Sequence, residues 1–407
     1  MIKALSGVEL LPQGSVTSAR GFRAGAAAAG IKDGESRLDL AVVVADTPCT
    51  AHAVFTQCAI VAAPVILSRE RIASGHAQGI VLNSGNANAC NGQSGMAAAR
   101  TMADATARKL GIDPQLMLVA STGVIGVPLP IDRVQRGIEA LAPTTDGGHD
   151  AARAIMTTDL CPKEAAAAIE IAGYRITVGG MAKGSGMIHP NLATMLAVVT
   201  TDAALHPLVA RSALRAAAET SFNQVTVDRD TSTNDMLALF ASGASGAPVI
   251  QPDSLQAVDF ANALEVVCIA LARQIARDGE GASRLITSIV EGARNDVEAR
   301  RAAREIVSSS LVKAAVYGRD PNWGRILAAI GNSGISLDPD TVDISIGNIP
   351  VAAGGSGVPF DTAEVSAAMG AEEVVIRSHL HGGFGRGEAW GCDLTEDYVV
   401  INSAYTT

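Results

Sequence analysis

The chain has 407 residues, 48% of them hydrophobic and 18% charged, enough to bury one large layered core or two domains. A net charge of −10 and an aromatic content of 3% speak against a nucleic-acid surface, which needs clustered Lys and Arg and rings for base stacking. No charge-free apolar stretch approaches the ~18 residues of a membrane span, and the opening MIKALSGVELLPQG lacks a secretory h-region, so a cytoplasmic protein is expected. Cys49, Cys58, Cys90, Cys161, Cys268 and Cys392 are scattered without a Cys-x-x-Cys pair and read as free buried thiols of a reducing compartment. His379 and His381 are the only close pair of potential metal ligands and read as surface residues, so neither a metal nor a cofactor is expected.

Taken in chain order, LDLAVVVAD and AHAVFTQCAIVAAPVIL are short β-branched runs punctuated by Gly and Pro, which predicts strands. A strand from Gln78 to Leu82 ends in NSGNANACNG, and a helix follows from Gly95 to Leu110. That Asn-rich link reads as a turn held by Asn side chains, with an anion site at the helix start as the alternative. A strand from Leu116 to Ser121 runs into Thr122-Gly123, whose hydroxyl and glycine N–H are the parts of an oxyanion hole, although Ser-Thr-Gly by itself is only a turn. Helices are expected from Ile131 to Leu141 and from Asp150 to Met156, then a strand from Tyr174 to Gly179.

Lys183 opens the stretch KGSGMIHPNLATMLAVVTTD, in which a glycine-rich polar loop meets a short β-branched run after Thr194. A threonine at a loop-to-strand junction is ordinarily a turn residue. This segment, however, closely resembles the self-cleavage segment of the ornithine acetyltransferase family, the bifunctional glutamate N-acetyltransferases of arginine biosynthesis. The resemblance spans nearly the whole chain. It implies that the Ala193-Thr194 bond breaks itself and that Thr194 becomes an N-terminal nucleophile. An N-terminal Thr carries its own base, the α-amine, with a pKa of ~7.7–8.0, whereas the same nitrogen in an intact chain is a non-basic amide.

Downstream, a helix is expected from His206 to Thr220, followed by SFNQVTVDRDTSTND. Asp228, Asp230 and Asp235 lie within eight positions but lack the glycine and distal Glu of an EF-hand, so a polar loop is preferred, with Thr233 or Asn234 capping a helix. A long amphipathic helix from Ser254 to Arg277 stops at Asp278-Gly279-Glu280-Gly281. A strand from Ser283, a helix from Asp296 to Ser308, and strands from Leu311 to Tyr317, Val342 to Ile349 and Glu373 to Ser378 complete the pattern. GGFGRG lacks the strand-and-helix setting of a nucleotide loop.

Composition and periodicity support only an α/β or α+β class. The family resemblance implies an αββα four-layer sandwich of the N-terminal-nucleophile type. It also implies an alpha chain of residues 1–193 and a beta chain of 194–407 sharing one intertwined core, assembled as a heterotetramer of two alpha and two beta chains. By the same resemblance Thr122 and Gly123 form the oxyanion hole. Thr158 or Thr157, with Thr158 favoured, contacts substrate together with Lys183, Glu280, Asn402 and Thr407, and Asp320-Pro321-Asn322-Trp323-Gly324 packs near the site. The implied reaction is ping-pong transfer of an acetyl group from N2-acetylornithine to glutamate through an acetyl-Thr194 enzyme. Whether acetyl-CoA is a second donor stays open at this point. The alternative is a self-processing aminopeptidase or amidohydrolase that delivers the acyl group to water.

Overall fold

The computed structural model describes residues 7–34, 36–189 and 195–404. In chain order the strands are β1 (Val8–Leu10), β2 (Phe22–Ala27), β3 (Leu40–Phe55), β4 (His76–Asn86), β5 (Met117–Val124), β6 (Lys163–Ile171), β7 (Tyr174–Lys183), β8 (Leu196–Thr201), β9 (Val225–Thr226), β10 (Met236–Ala241), β11 (Leu285–Ala293), β12 (Asp343–Ile346), β13 (Ile349–Ala353), β14 (Ser356–Gly357), β15 (Glu373–His379) and β16 (Gly385–Cys392). The helices are α1 (Ala63–Arg71), α2 (Gly92–Leu110), α3 (Ile131–Ala140), α4 (Gly148–Ala154), α5 (Pro207–Thr220), α6 (Leu255–Arg277), α7 (Asp296–Ser308), α8 (Ser310–Gly318), α9 (Trp323–Asn332), α10 (Thr362–Ala368) and α11 (Glu396–Ala404).

One sheet has the strand order β1-β6-β7-β8-β10-β3-β4-β5, with β2 also on β3. β3 is its fold line. Residues from Leu40 to Ala45 pair with β2, those from Thr50 to Phe55 pair with β10, and the register against β4 breaks between Val44 and Cys49. The two halves of the sheet therefore face each other. Alternation along the strands decides what meets there. Val43, Ile80, Leu82 and Leu118 of one half share a buried cluster with Leu196, Val198, Met236 and Phe240 of the other. The opposite faces are covered by helices: Val42, Val81 and Val119 pack with Leu67, Met102 and Ile138 of α1, α2 and α3. Val199, Leu237 and Leu239 pack with Leu214, Leu264 and Leu271 of α5 and α6. Each such side chain contributes about 1.5–3 kcal/mol on burial. The layers are α, β, β, α, as the resemblance implied.

A second sheet, β14-β13-β12-β15-β11-β16-β9, packs with α7, α8, α9 and α10 around Ile306, Val316, Ile330 and Ile376. Helix α6 is long and apolar enough to cross a membrane by composition alone. Its Phe260, Leu264, Val267 and Leu271 are instead fully covered by the protein. Ser254 caps it, accepting from Ala257 N–H at 3.1 Å.

Several expectations fail locally. APVIL opens α1 rather than a strand, because Pro64 sits in its first turn, where a missing N–H costs nothing. Leu311 to Tyr317 lies in α8, whose Ser309 cap and buried Val312, Ala315 and Val316 follow helical spacing. Thr233 and Asn234 cap no helix, since β10 follows directly. Three cysteines are buried (Cys49, Cys268 and Cys392), while Cys90 and Cys161 are exposed, and none is paired. Trp323 packs with the second sheet's core, and no residue of its motif lines the cleft described next.

Candidate active site

A cleft opens where β5 and β7 end and β8 and β10 begin, lined from the strands by Thr122, Gly123, Lys183 and Leu196 and, just before β10, by Asp235. Thr157, Thr158, Glu280 and Asn402 reach the same cleft from other segments. The sequence-chosen residues that fall within the described residues thus come together. Ala193, Thr194 and Thr407 lie outside them, but Met195, joined directly to Thr194, also lines the cleft.

Thr122 and Gly123 are strand residues rather than a turn. At Gly123 φ is +131°, and an added Cβ would stand 2.3 Å from the Gly85 carbonyl carbon, so only glycine fits against β4. Lys183 Nζ donates to Thr122 Oγ1 at 3.4 Å, leaving the threonine proton free to donate elsewhere. Lys183 is no solvated cation: its residue is 7% exposed. Burial pulls its pKa down, against the pull of Asp159.

Glu280 is held from two sides. Thr158 Oγ1 donates to Oε1 at 2.7 Å and Asn402 Nδ2 donates to Oε2 at 2.8 Å. Thr157 turns the other way, its N–H donating to Asp159 Oδ2 at 2.8 Å. Gly186 permits this crowding, since a Cβ there would meet Glu280 Oε2 at 2.3 Å. The Asn-rich link is only partly the expected turn: Asn83 to Asn86 continue β4, and the rest is held by Asn side chains, with Asn88 Nδ2 donating to Gly95 O at 2.8 Å and Asn91 Nδ2 to Val127 O at 2.9 Å.

A family model described as the ArgJ family matches residues 23–407. The chain belongs to the ArgJ family. It is 53% identical over 397 residues to the "Arginine biosynthesis bifunctional protein ArgJ" of Symbiobacterium thermophilum, covering 97% of this chain and 99% of that one. It is 47% identical to the protein of that name from Dehalococcoides mccartyi, covering 99% and 100%. Among solved structures, the arginine biosynthesis bifunctional protein argJ of Bacillus halodurans is 47% identical with a TM-score of 0.50, covering 51% of this chain and 98% of that chain. This ArgJ-family chain is thus an acyltransferase of arginine biosynthesis with small-molecule substrates, and the transferase reading stands over the aminopeptidase one.

Sequence reasoning missed three carboxylates of the ArgJ-family site. Asp159 sits beneath Lys183: burial would raise its pKa, but Lys183 and Lys163 hold it well below the usual carboxylate range. Asp228 accepts the N–H groups of Met187 and Ile188 at 2.6 and 2.8 Å, clamping the loop that leads to Thr194. Asp235 lines the cleft, buried. Asp228 and Asp235 stand in DRDTSTND, where the sequence favours a polar loop over a metal site, and neither reading shows the loop clamp or the buried carboxyl.

Proposed function

We propose that the protein moves the acetyl group of N2-acetylornithine to glutamate through an acetyl-Thr194 intermediate, after cutting itself between Ala193 and Thr194. Thr194 Oγ attacks the acetyl carbonyl while its own α-amine takes the proton, a base of pKa ~7.7–8.0 available only once the chain is cut. Thr122 and Gly123 receive the oxyanion charge, and each such donor is worth ~10²–10³ in rate. Ornithine leaves, and glutamate takes the acetyl group from the ester. Lys183 suits a substrate carboxylate, and Glu280, steered by Thr158 and Asn402, suits the ornithine side-chain ammonium. Acetyl-CoA serves as a second donor to the same threonine, which would account for a bifunctional enzyme.

The observation that carries this reading is the convergence of Thr122, Gly123, Lys183 and Glu280 on a cleft whose wall runs into Met195, next to Thr194 in the chain. The solved Bacillus halodurans chain is about half as long as this one, which supports two chains per protomer, 1–193 and 194–407. We place the enzyme in the cytoplasm, where six free cysteines persist, as a heterotetramer of two alpha and two beta chains. Thr194→Ala should leave one uncut chain without acetyl transfer. Full activity in that variant removes the nucleophile from the scheme, and acetylation of glutamate from acetyl-CoA alone tests the second donor.

A further inference from the structure

The proposed cut leaves one chemical need unmet: the departing nitrogen of Thr194 must receive a proton. Asp235 stands immediately before β10 with 2% of its surface exposed. Its Oδ2 has no hydrogen-bond partner among the described residues, while Ser232 approaches the carboxyl through its hydroxyl and backbone. An unmade bond on a buried polar atom costs about 1–3 kcal/mol, so a group of this kind calls for an explanation. Strand register supplies its address. β10 runs parallel to β8, Met236 pairs with Leu196, and Met236 N–H donates to the Met195 carbonyl at 3.0 Å. One step back in that register, Asp235 stands beside Met195, the residue bonded to Thr194, and it faces the cleft.

We infer that Asp235 is the proton carrier of self-cleavage, giving its proton to the Thr194 nitrogen as the Ala193-Thr194 bond breaks. The inference rests on the proposed cut. Thr194 Oγ bonds to the Ala193 carbonyl carbon, the carbon–nitrogen bond breaks, and the nitrogen takes the carboxylic proton. The hydroxyl proton released from Oγ returns to the carboxylate, so Asp235 ends as an acid again. Water then hydrolyses the Ala193 ester, restoring the threonine hydroxyl and leaving an Ala193 carboxylate, with the released proton taken up by the new amine.

Burial raises the pKa of Asp235 well above the usual carboxylate range, the direction a proton donor needs, against the hydrogen bonds of Ser232 and the charge of Lys183. Lys183 faces the cleft from β7, Asp228 and Asp230 from the loop before Asp235, and Glu280 from beyond α6. The carboxylates among these favour a protonated neighbour, and Lys183 opposes it.

The test follows cutting of freshly synthesised full-length chain by intact mass across pH. Asp235→Asn keeps the size of the side chain but cannot exchange the proton, and cutting should slow ~10²–10⁴-fold, the usual range for a general acid. Cutting of the native chain should decline as pH rises through the titration of the carboxyl, that dependence should vanish in Asp235→Asn, and Asp235→Glu should restore part of the rate. Cutting of Asp235→Asn at the native rate, or slower cutting with the native pH dependence, overturns the role. Should Asp235→Asn fail to fold, as read by circular dichroism, Asp235→Glu decides: slower cutting that keeps the pH dependence supports the carrier, and loss of that dependence overturns it. A native chain never cut at Thr194 sinks the proposed function too, whereas native-rate Asp235→Asn beside an uncut Thr194→Ala sinks only this role.

Discussion

Lys163 is fully buried, with its ammonium between Asp159, at 2.5 Å, and Asp278. Asp159 also accepts the N–H groups of Thr157 at 2.8 Å and Gly184 at 2.7 Å. One ion cluster thus ties the Thr157-Thr158 turn, the start of the loop that begins at Gly184 and the turn carrying Glu280. A buried charge stripped of its partner costs about 3–5 kcal/mol, more than replacing a whole cluster by apolar groups. Lys163→Met should therefore lower stability by about 3–5 kcal/mol in urea unfolding, and it should weaken substrate binding through the released Glu280 turn. A loss below about 1 kcal/mol would mean that the cluster is no keystone. At this scale the sequence made Thr122, Lys183 and Glu280 visible through their motifs. It could not make Asp159 or Asp235 visible, because a carboxylate's role depends on burial and on partners far along the chain.

The segment from Gly184 to His189 shows how a short element is held in place from elsewhere. Met187 has φ 55°, an uncommon conformation for a residue with a Cβ, and Asp228 holds the two N–H groups at this bend. His189 is fastened at both ends of the residue: its carbonyl accepts from Thr231 Oγ1 at 2.9 Å, and its Nδ1 meets Thr226 Oγ1 at 3.0 Å. Burial, with Arg304 and Arg229 nearby, lowers its pKa to about 4. An unfolded His binds its proton near ~6.5, so on acidification the unfolded state gains protons first and the folded state loses ground between these values. Stability should be full above ~6.5 and fall towards about pH 4, with His189→Asn flattening part of that slope in urea titrations. His52, also lowered to about 4 by burial, should leave a residual slope. An unchanged slope in His189→Asn would show that His189 is not held neutral. Elements with strong caps were legible, as for α7, expected and found from Asp296 to Ser308. Helix α8 was not, because LVKAAVY is short and β-branched at Val312 and Val316, and only the Ser309 cap and packing beneath it decide for a helix.

Across the whole molecule, the fold line in β3 makes the architecture. Asp46, Thr47 and Pro48 are exposed where the register against β4 breaks, and in the sequence they read as a gap between two strands. Proline belongs at such irregularities, yet nothing local says that the backbone continues through it and turns one sheet into two facing layers. The same layout governs what cutting can do. β7, before the expected cut, pairs with β8, after it, from Val178↔Thr201 to Lys183↔Leu196. β3 pairs likewise with β10 from Thr50↔Ala241 to Phe55↔Met236. Both fragments therefore supply neighbouring strands to one sheet and side chains to two shared clusters, so parting 1–193 from 194–407 would open both of those clusters. Cut protein should behave as one body, with an affinity tag on residues 1–193 retaining 194–407 in full until denaturant is added. Native mass should be twice the 41.5 kDa of one chain if two such pairs assemble. Unfolding should remain a single transition, because strand pairing across the cut couples the fragments. Release of 194–407 from the tagged partner in native buffer would contradict a shared core and would turn the cut from a maturation step into a separation of modules.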